Sequence, residues 1–451
     1  MRGEWTYMLF SSLLFIFVFL PIVLGIYYGI LRKRKIRNFF LLLVSLVFYA
    51  WGEPVYVFLM IGCIGANYLA GRWIEQYRND KEKVKRILVL AVSFNVLVLI
   101  TFKYTQLALP VGISFFTFQG ISYVVDIYRE RGKGLRNPLD VGLYISLFPQ
   151  LVAGPIVRYE TIADEIYNRC ENAEDIAEGI KRFIKGLGKK VILSNNFALI
   201  ADKAFGLDTG VITITFAWLG ALAYALQIYY DFSGYSDMAI GLGRMFGFHF
   251  NENFNRPYLA QSISDFWRRW HISLGSWFRD YVYIPLGGSR VGQIKLIRNL
   301  FIVWALTGAW HGANWTFVVW GLYFGLFVLV EKYLKLEEKL SCHKIIAHLY
   351  TLIVVLVGWV IFRAATLSQA FTYIKAMFGL TNNAVLGNLG ALYLSENFIL
   401  MFLGIIMLLP FKRVYKQKET PLYLVGLGIV FLIATAYLVK GSYNPFIYFN
   451  F

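Results

Sequence analysis

Apolar residues run along this chain in blocks rather than in alternation. Continuous apolar stretches cover residues 7–31, 38–52, 54–74, 87–105, 214–230, 345–363, 396–411 and 422–439. A helix of about 20 apolar residues crosses the hydrocarbon core of a bilayer. Blocks of this length therefore predict membrane-spanning helices. Weaker apolar segments lie at 111–128, 141–157, 191–205 and 299–331. The block 38–52 is short for a span and is followed by "GEP" at 52–54. Residues 38–74 thus read as a helical hairpin or a pair of tilted helices. The pattern as a whole predicts an all-α, polytopic membrane bundle of about 11 spans, with re-entrant or interfacial helices added.

Residues 299–334 form one apolar stretch of 36 residues, too long for one untilted span. The expected break is "GAWHGAN" at 308–314, where Gly308 and Gly312 flank His311. A helix should enter from 290–298, turn near 308–314 and return to the charged loop 331–344. Residues 173–187 place Ile176, Ile180, Phe183, Ile184 and Leu187 on one helical face. That stripe suits a helix lying at the membrane interface or one packed on the protein. Residues 231–298 carry too many polar groups to span, so short helices and loops around a wet cavity are expected there.

Composition agrees with this pattern. The 451 residues are 58% hydrophobic and 16% charged, against about 25% charged in soluble domains. The net charge of +17 sits in short clusters between apolar blocks, at 32–37, 78–86, 129–136 and 412–418. Loops on the cytoplasmic side collect such residues, so nucleic-acid binding is not indicated. Counting helices from these clusters puts the C-terminus outside the cytoplasm. The first apolar block is too long for a signal-peptide core and reads as a retained helix. Three widely spaced cysteines, Cys63, Cys170 and Cys342, form no CxxC pair, and no HExxH occurs, so neither a disulfide framework nor a metal site is expected.

Candidate chemistry follows from the placement of titratable groups. An ionisable side chain at membrane depth, as expected for His311, is a functional candidate, and imidazole suits proton transfer near neutral pH. A second histidine, His271, stands among Arg268, Arg269 and Arg279. These cations should depress its pKa and favour the neutral ring. The arginines suit phosphates of a nucleotide-bearing donor or lipid headgroups. The chain closes on "YNPFIYFNF". An aromatic end outside the membrane makes sense if it folds back into a cavity. Its Tyr448 phenol, with a pKa near 10, would form a reactive ester and pass an acyl group on.

Five ordered blocks then carry a resemblance. They are "PVGISFFTFQGISYVVDIYR" (110–129), "LFPQLVAGPIVRY" (147–159), "DFSGYSDMAIG" (231–241), "FWRRWHISLGSWFRDYVYIPLGG" (266–288) and "WHGANWTFVVWGLYFG" (310–325). Together they resemble the membrane-bound O-acyltransferase family, and within it the branch of the alginate O-acetyltransferase membrane subunit. Peptidoglycan-acetylating relatives share that branch, and the teichoic-acid D-alanylation membrane subunit is a more distant cousin.

The resemblance implies one transmembrane domain over 1–451 with a funnel and central channel, and an acyl-transfer tail at 440–451. It implies that His311 is the essential histidine and His271 the second. Arg268, Arg269, Trp310 and Asn314 are the expected donor-binding residues. Phe446, Tyr448 and Phe451 match an F-x-Y-x-x-F tail, so no separate tail-bearing subunit would be needed. The implied donor is acetyl-CoA or another acyl thioester, with no tightly bound cofactor. The implied partner is an extracytoplasmic SGNH-type transferase acting on a polysaccharide, and the implied location is the bacterial cytoplasmic membrane. D-alanyl transfer, a proton-coupled transporter and an envelope scaffold are the alternatives.

Overall fold

A computed structural model describes residues 8–152, 154–208, 210–381, 383–410, 420–441 and 443–445. Every regular element among them is helical. In lipid each backbone N–H and C=O must find a partner within the protein, and a helix satisfies them locally. Among the described residues, seven helices are long and apolar enough to cross a membrane. They are Arg34–Gly52, Tyr56–Gln76, Lys81–Tyr104, Trp315–Leu334, Lys344–Arg363, Asn388–Ile406 and Pro421–Val439. A shorter apolar helical stretch covers Phe15–Gly29. The hairpin expected over 38–74 is present, broken at Glu53 between its two helices.

One of the weaker apolar segments is interrupted and another is part of a longer helical run. Residues 141–157 break after Ser146 into the four-residue helix Phe148–Leu151, where Pro149 and Pro155 interrupt a continuous ladder. Residues 191–205 give a π turn, Lys189–Ser194, and the 12-residue helix Asn195–Gly206. Both continue the helix Ala173–Gly188 without a break, since Gly188 and Ser194 at the two junctions keep right-handed helical angles. The segment after 230 also departs from expectation. The helix that begins at Ile214 continues without a break to Met245, through "DFSGYSDMAIGLGRM". Its polar groups are accommodated individually: Asp231 meets Lys190 at 2.5 Å and Asp237 meets Arg182 at 2.9 Å.

The chain divides into two compact units interleaved in sequence. One comprises Met1–Leu187, Tyr235–Glu252 and Val430–Ser442; the other Gly188–Gly234, Asn253–Ile429 and Tyr443–Phe451. The first unit has an aromatic centre in which Phe10, Phe15, Phe48 and Phe148 meet ring against ring. The amphipathic segment is the helix Ala173–Gly188. It packs on protein rather than presenting its whole stripe to lipid. Phe183 and Leu187 are buried, while Ile180 stays 42% exposed. Gly179 makes this possible, since a Cβ there would stand 2.6 Å from the Gly241 carbonyl oxygen.

The second unit holds both candidate histidines, His271 and His311. Its core joins Trp320, Phe324, Val355, Trp359, Tyr258 and Tyr373. The helix Gln293–His311 ends at Gly312, and Trp315–Leu334 returns from it, as the glycine-flanked break predicts. The two helices approach closely at Gly308 and Gly321. A Cβ on Gly321 would strike the Trp304 carbonyl and lie 3.1 Å from the Gly308 nitrogen.

Candidate active site

The first histidine is placed by a capped short helix. Ile263–Arg269 begins at Ser262, whose hydroxyl accepts from the Asp265 N–H at 2.9 Å. The buried Glu331 carboxylate takes the next backbone donors, Ile263 N–H at 2.5 Å and Ser264 N–H at 2.9 Å, together with the Ser264 hydroxyl at 2.8 Å. These are the orphan donors that any helix start must satisfy. The helix ends at Arg269, and the chain then turns through His271 itself, at φ 44 and ψ 53. A left-handed conformation is uncommon outside glycine and is held only where surroundings over-determine it. Residues 253–255 supply that hold: Asn255 N–H donates to the Arg269 carbonyl and Ile272 N–H to the Asn253 carbonyl, both at 2.9 Å.

The same Asn253 sets the proton on the ring. Its Oδ1 lies 3.1 Å from His271 Nδ1 and accepts from Ser273 N–H at 3.2 Å and the Ser273 hydroxyl at 2.8 Å. An atom that accepts from a backbone N–H is the amide oxygen, so Nδ1 must carry the hydrogen. Nε2 is thereby the lone-pair nitrogen, and it has no hydrogen-bond partner among the described residues. The ring is 3% exposed and stands edge-on to Phe232, centroids 4.5 Å apart. Burial lowers its pKa to about 3. The neutral ring expected from sequence is present, but the arginines are not its cause. Arg268 pairs with Glu337 at 2.7 Å, Arg269 with Asp265 at 2.9 Å and Arg279 with Asp280 at 2.8 Å.

His311 is the last residue of its helix, inside an aromatic box. Trp320 and Phe362 stand edge-on to it, centroids 5.1 and 5.0 Å away. Trp310 lies between the two histidines, 4.8 Å from His311 and 6.1 Å from His271. The three rings form a row, His271–Trp310–His311.

His271 also lines a cavity of about 510 Å³, with Trp267, Trp270, Trp304 and Thr307 among its walls. Volumes of this size take small organic ligands. Three exposed cations, Arg268, Arg279 and Lys332, line it as well. His311 does not belong to this lining; it stands one helical turn beyond Thr307.

The predicted site residues therefore separate. His271, Trp310 and His311 come together, and Arg268 reaches the cavity. Arg269 is tied back to Asp265 and is not part of the lining. Asn314 serves the fold: its Oδ1 caps the returning helix by accepting from Thr316 N–H, and its Nδ2 donates to the Ala365 carbonyl at 2.8 Å. Tyr448, Phe446 and Phe451 lie outside the described residues. Sequence reading missed Asn253 and Glu331. Glu331 carried a signal, an acid at the end of an apolar block; Asn253 carried none beyond membership of a polar stretch.

Residues 129–368, which contain both histidines and the cavity, match the model of the MBOAT, membrane-bound O-acyltransferase, family. The chain belongs to that family. As a membrane-bound O-acyltransferase it is an acyl-transferring enzyme and a multi-pass membrane protein. It is 39% identical to the "Probable alginate O-acetylase AlgI" of Pseudomonas putida, covering 98% of this chain and 100% of that protein. It is 36% identical to the "Peptidoglycan O-acetyltransferase" of Helicobacter pylori, covering 98% of each. The "Teichoic acid D-alanyltransferase" of Bacillus subtilis is 33% identical over 47% of this chain and 56% of its own length.

Proposed function

We propose that this acyltransferase acetylates a cell-surface polysaccharide by passing an acetyl group from a cytoplasmic thioester, such as acetyl-CoA, to Tyr448 and then to an extracytoplasmic SGNH-type transferase. The observation that carries the proposal is the row His271–Trp310–His311 beside the cation-lined cavity. Arg268, Arg279 and Lys332 suit the phosphates of a nucleotide thioester. The aromatic walls suit its acyl arm. The two full-length relatives quoted above are named for O-acetylation of alginate and of peptidoglycan. The D-alanyltransferase matches only about half of the chain, which favours acetyl over D-alanyl.

In this reading His311, the essential histidine by family resemblance, is the general base. It takes the proton of the acceptor hydroxyl as that oxygen attacks the thioester carbonyl. The tetrahedral intermediate collapses with cleavage of the C–S bond, and the leaving thiolate takes the proton back from the imidazolium. His271, with its lone pair on Nε2, is the neutral ring at the donor end. Acyl-tyrosine retains enough free energy to acylate a sugar hydroxyl.

The test is acyl labelling. Purified enzyme given donor labelled in its acetyl group should carry label on the C-terminal peptide, Tyr448→Phe should not, and His311→Ala should block labelling in a folded protein. Label retained in the Phe variant removes Tyr448 from the route. Mass analysis of the same peptide distinguishes acetyl from D-alanyl.

A further inference from the structure

The second unit contains a charge pair that the row of histidines does not use. Lys190 and Asp231 are 2.5 Å apart, and each side chain is 1% exposed. Lys190 sits on the π turn Lys189–Ser194 and Asp231 in the long helix Ile214–Met245. Single π turns within α-helices recur at functional positions. An ammonium has three N–H donors. Asp231 offers one acceptor, and Asn195 Oδ1 offers a second at 3.0 Å. A third acceptor comes from far along the chain: Lys190 Nζ donates to the backbone carbonyl of Pro445.

That contact does not stand alone. Asn195 Nδ2 donates to Asn444 Oδ1 at 3.1 Å. The Tyr443 hydroxyl donates to Asp202 Oδ2 at 3.0 Å, and Asp202 is itself paired with Arg363 at 2.6 Å. Three consecutive residues, Tyr443, Asn444 and Pro445, are thus each held by a polar side chain, Asn195 and Lys190 buried and Asp202 partly exposed. Pro445 fixes its own φ and restricts Asn444 to extended backbone, so the held segment is stiff. A buried ammonium and carboxylate are costly to desolvate, and a carbonyl alone would not retain them. Asp231 pairs with Lys190 and aims it, and Pro445 takes the benefit.

We infer that Lys190, set by Asp231, is the positioning residue of the C-terminal tail: it clamps Tyr443–Pro445 and so fixes where residues 446–451 begin. The clamp reaches the histidines through one ring contact. Asp231 precedes Phe232, the residue whose ring meets His271. Tyr448 follows Pro445 by three residues, at most about 11 Å of chain. The role assigned to Lys190 in acyl transfer rests on the proposed route through Tyr448; the clamp itself does not.

The experiment separates the two. In a background with Cys63, Cys170 and Cys342 replaced by Ala, nitroxides at Asn450→Cys and Ile346→Cys report the tail's position by pulsed electron–electron resonance. The distance distribution should be narrow in this background and broad when Lys190→Met is added. A tail-side variant, Tyr443→Phe with Asn444→Ala, leaves the buried pair intact and should broaden the distribution without moving the melting temperature. An unchanged distribution in a folded Lys190→Met protein, or in the tail-side variant, overturns the clamp. In the activity arm, both variants should slow acyl labelling of the tail about tenfold or more, with the donor KM unchanged, because misplacement costs rate rather than donor affinity. If the wild-type tail takes no label at all, the Tyr448 route fails while the distance measurement still decides the clamp.

Discussion

Asn253 takes the Nδ1 hydrogen of His271 across 3.1 Å, and this one bond decides which ring nitrogen is basic. Removing it should be felt in rate before it is felt in binding. Asn253→Ala frees the ring to adopt the other tautomer and leaves Ser273 without its acceptor. We expect acyl transfer to fall by about 10–100-fold, with the donor KM changed far less. Steady-state kinetics in detergent would check this; an unchanged kcat would show that the tautomer of His271 does not matter to the reaction.

The buried neutral ring also predicts a pH dependence of stability. The folded pKa of His271 is lowered to about 3, from 6.5 in the exposed chain. Between these values the unfolded state binds a proton that the folded state does not. Stability therefore rises with pH in that window, is fully present above pH 6.5 and is lost as pH falls toward 3. The slope is about 1.4 kcal/mol per pH unit. Thermal unfolding of the wild type should weaken more steeply below pH 6 than that of His271→Gln. Parallel curves would contradict a buried, neutral His271.

Glu331 should matter to the fold of the donor side rather than to chemistry. Glu331→Gln keeps one acceptor oxygen and sets an N–H₂ group against either the Ile263 donor or the Ser264 donors. An unsatisfied buried donor costs about 1–3 kcal/mol. A lowered melting temperature together with a raised donor KM is the expected result, since the helix bearing Arg268 loses its start.

Gly321 tests the closeness of the helix that ends at His311 to the one that returns from it. Gly321→Ala would force a methyl against the Trp304 carbonyl. Overpacking of this kind costs about 1–3 kcal/mol. The helices should part enough to disturb the Trp320 contact of His311, so activity should fall alongside the melting temperature. Gly206→Ala, where a Cβ meets nothing within 4 Å, should leave both unchanged.

Local pattern was enough wherever a property depends on the residues of one segment. Lys344–Arg363 and Pro421–Val439 follow the hydropathy blocks closely, because burying apolar side chains in lipid and satisfying the backbone within one helix need no distant partner. The turn at 312–314 was legible too, from glycine and asparagine beside a run too long for one span. The helix to Met245 was not. Its Asp231 and Asp237 look unfit for a helix in an apolar setting until Lys190 and Arg182 are placed beside them. In the same way Arg269 and Asn314 read as ligand-binding by type, and only the tertiary structure adds their partners Asp265, Thr316 and Ala365.

The order of residues alone determined that this is a helical membrane protein, that it resembles the O-acyltransferases, and that His271 and His311 merit attention. Hydropathy and motif order are written along one dimension. The tertiary structure decided that Trp310 joins the two histidines, that burial rather than neighbouring arginine keeps His271 neutral, and that Lys190 holds the tail. Each of these depends on which distant groups share a desolvated space, because electrostatic and hydrogen-bond energies there are set by distance and not by separation in sequence.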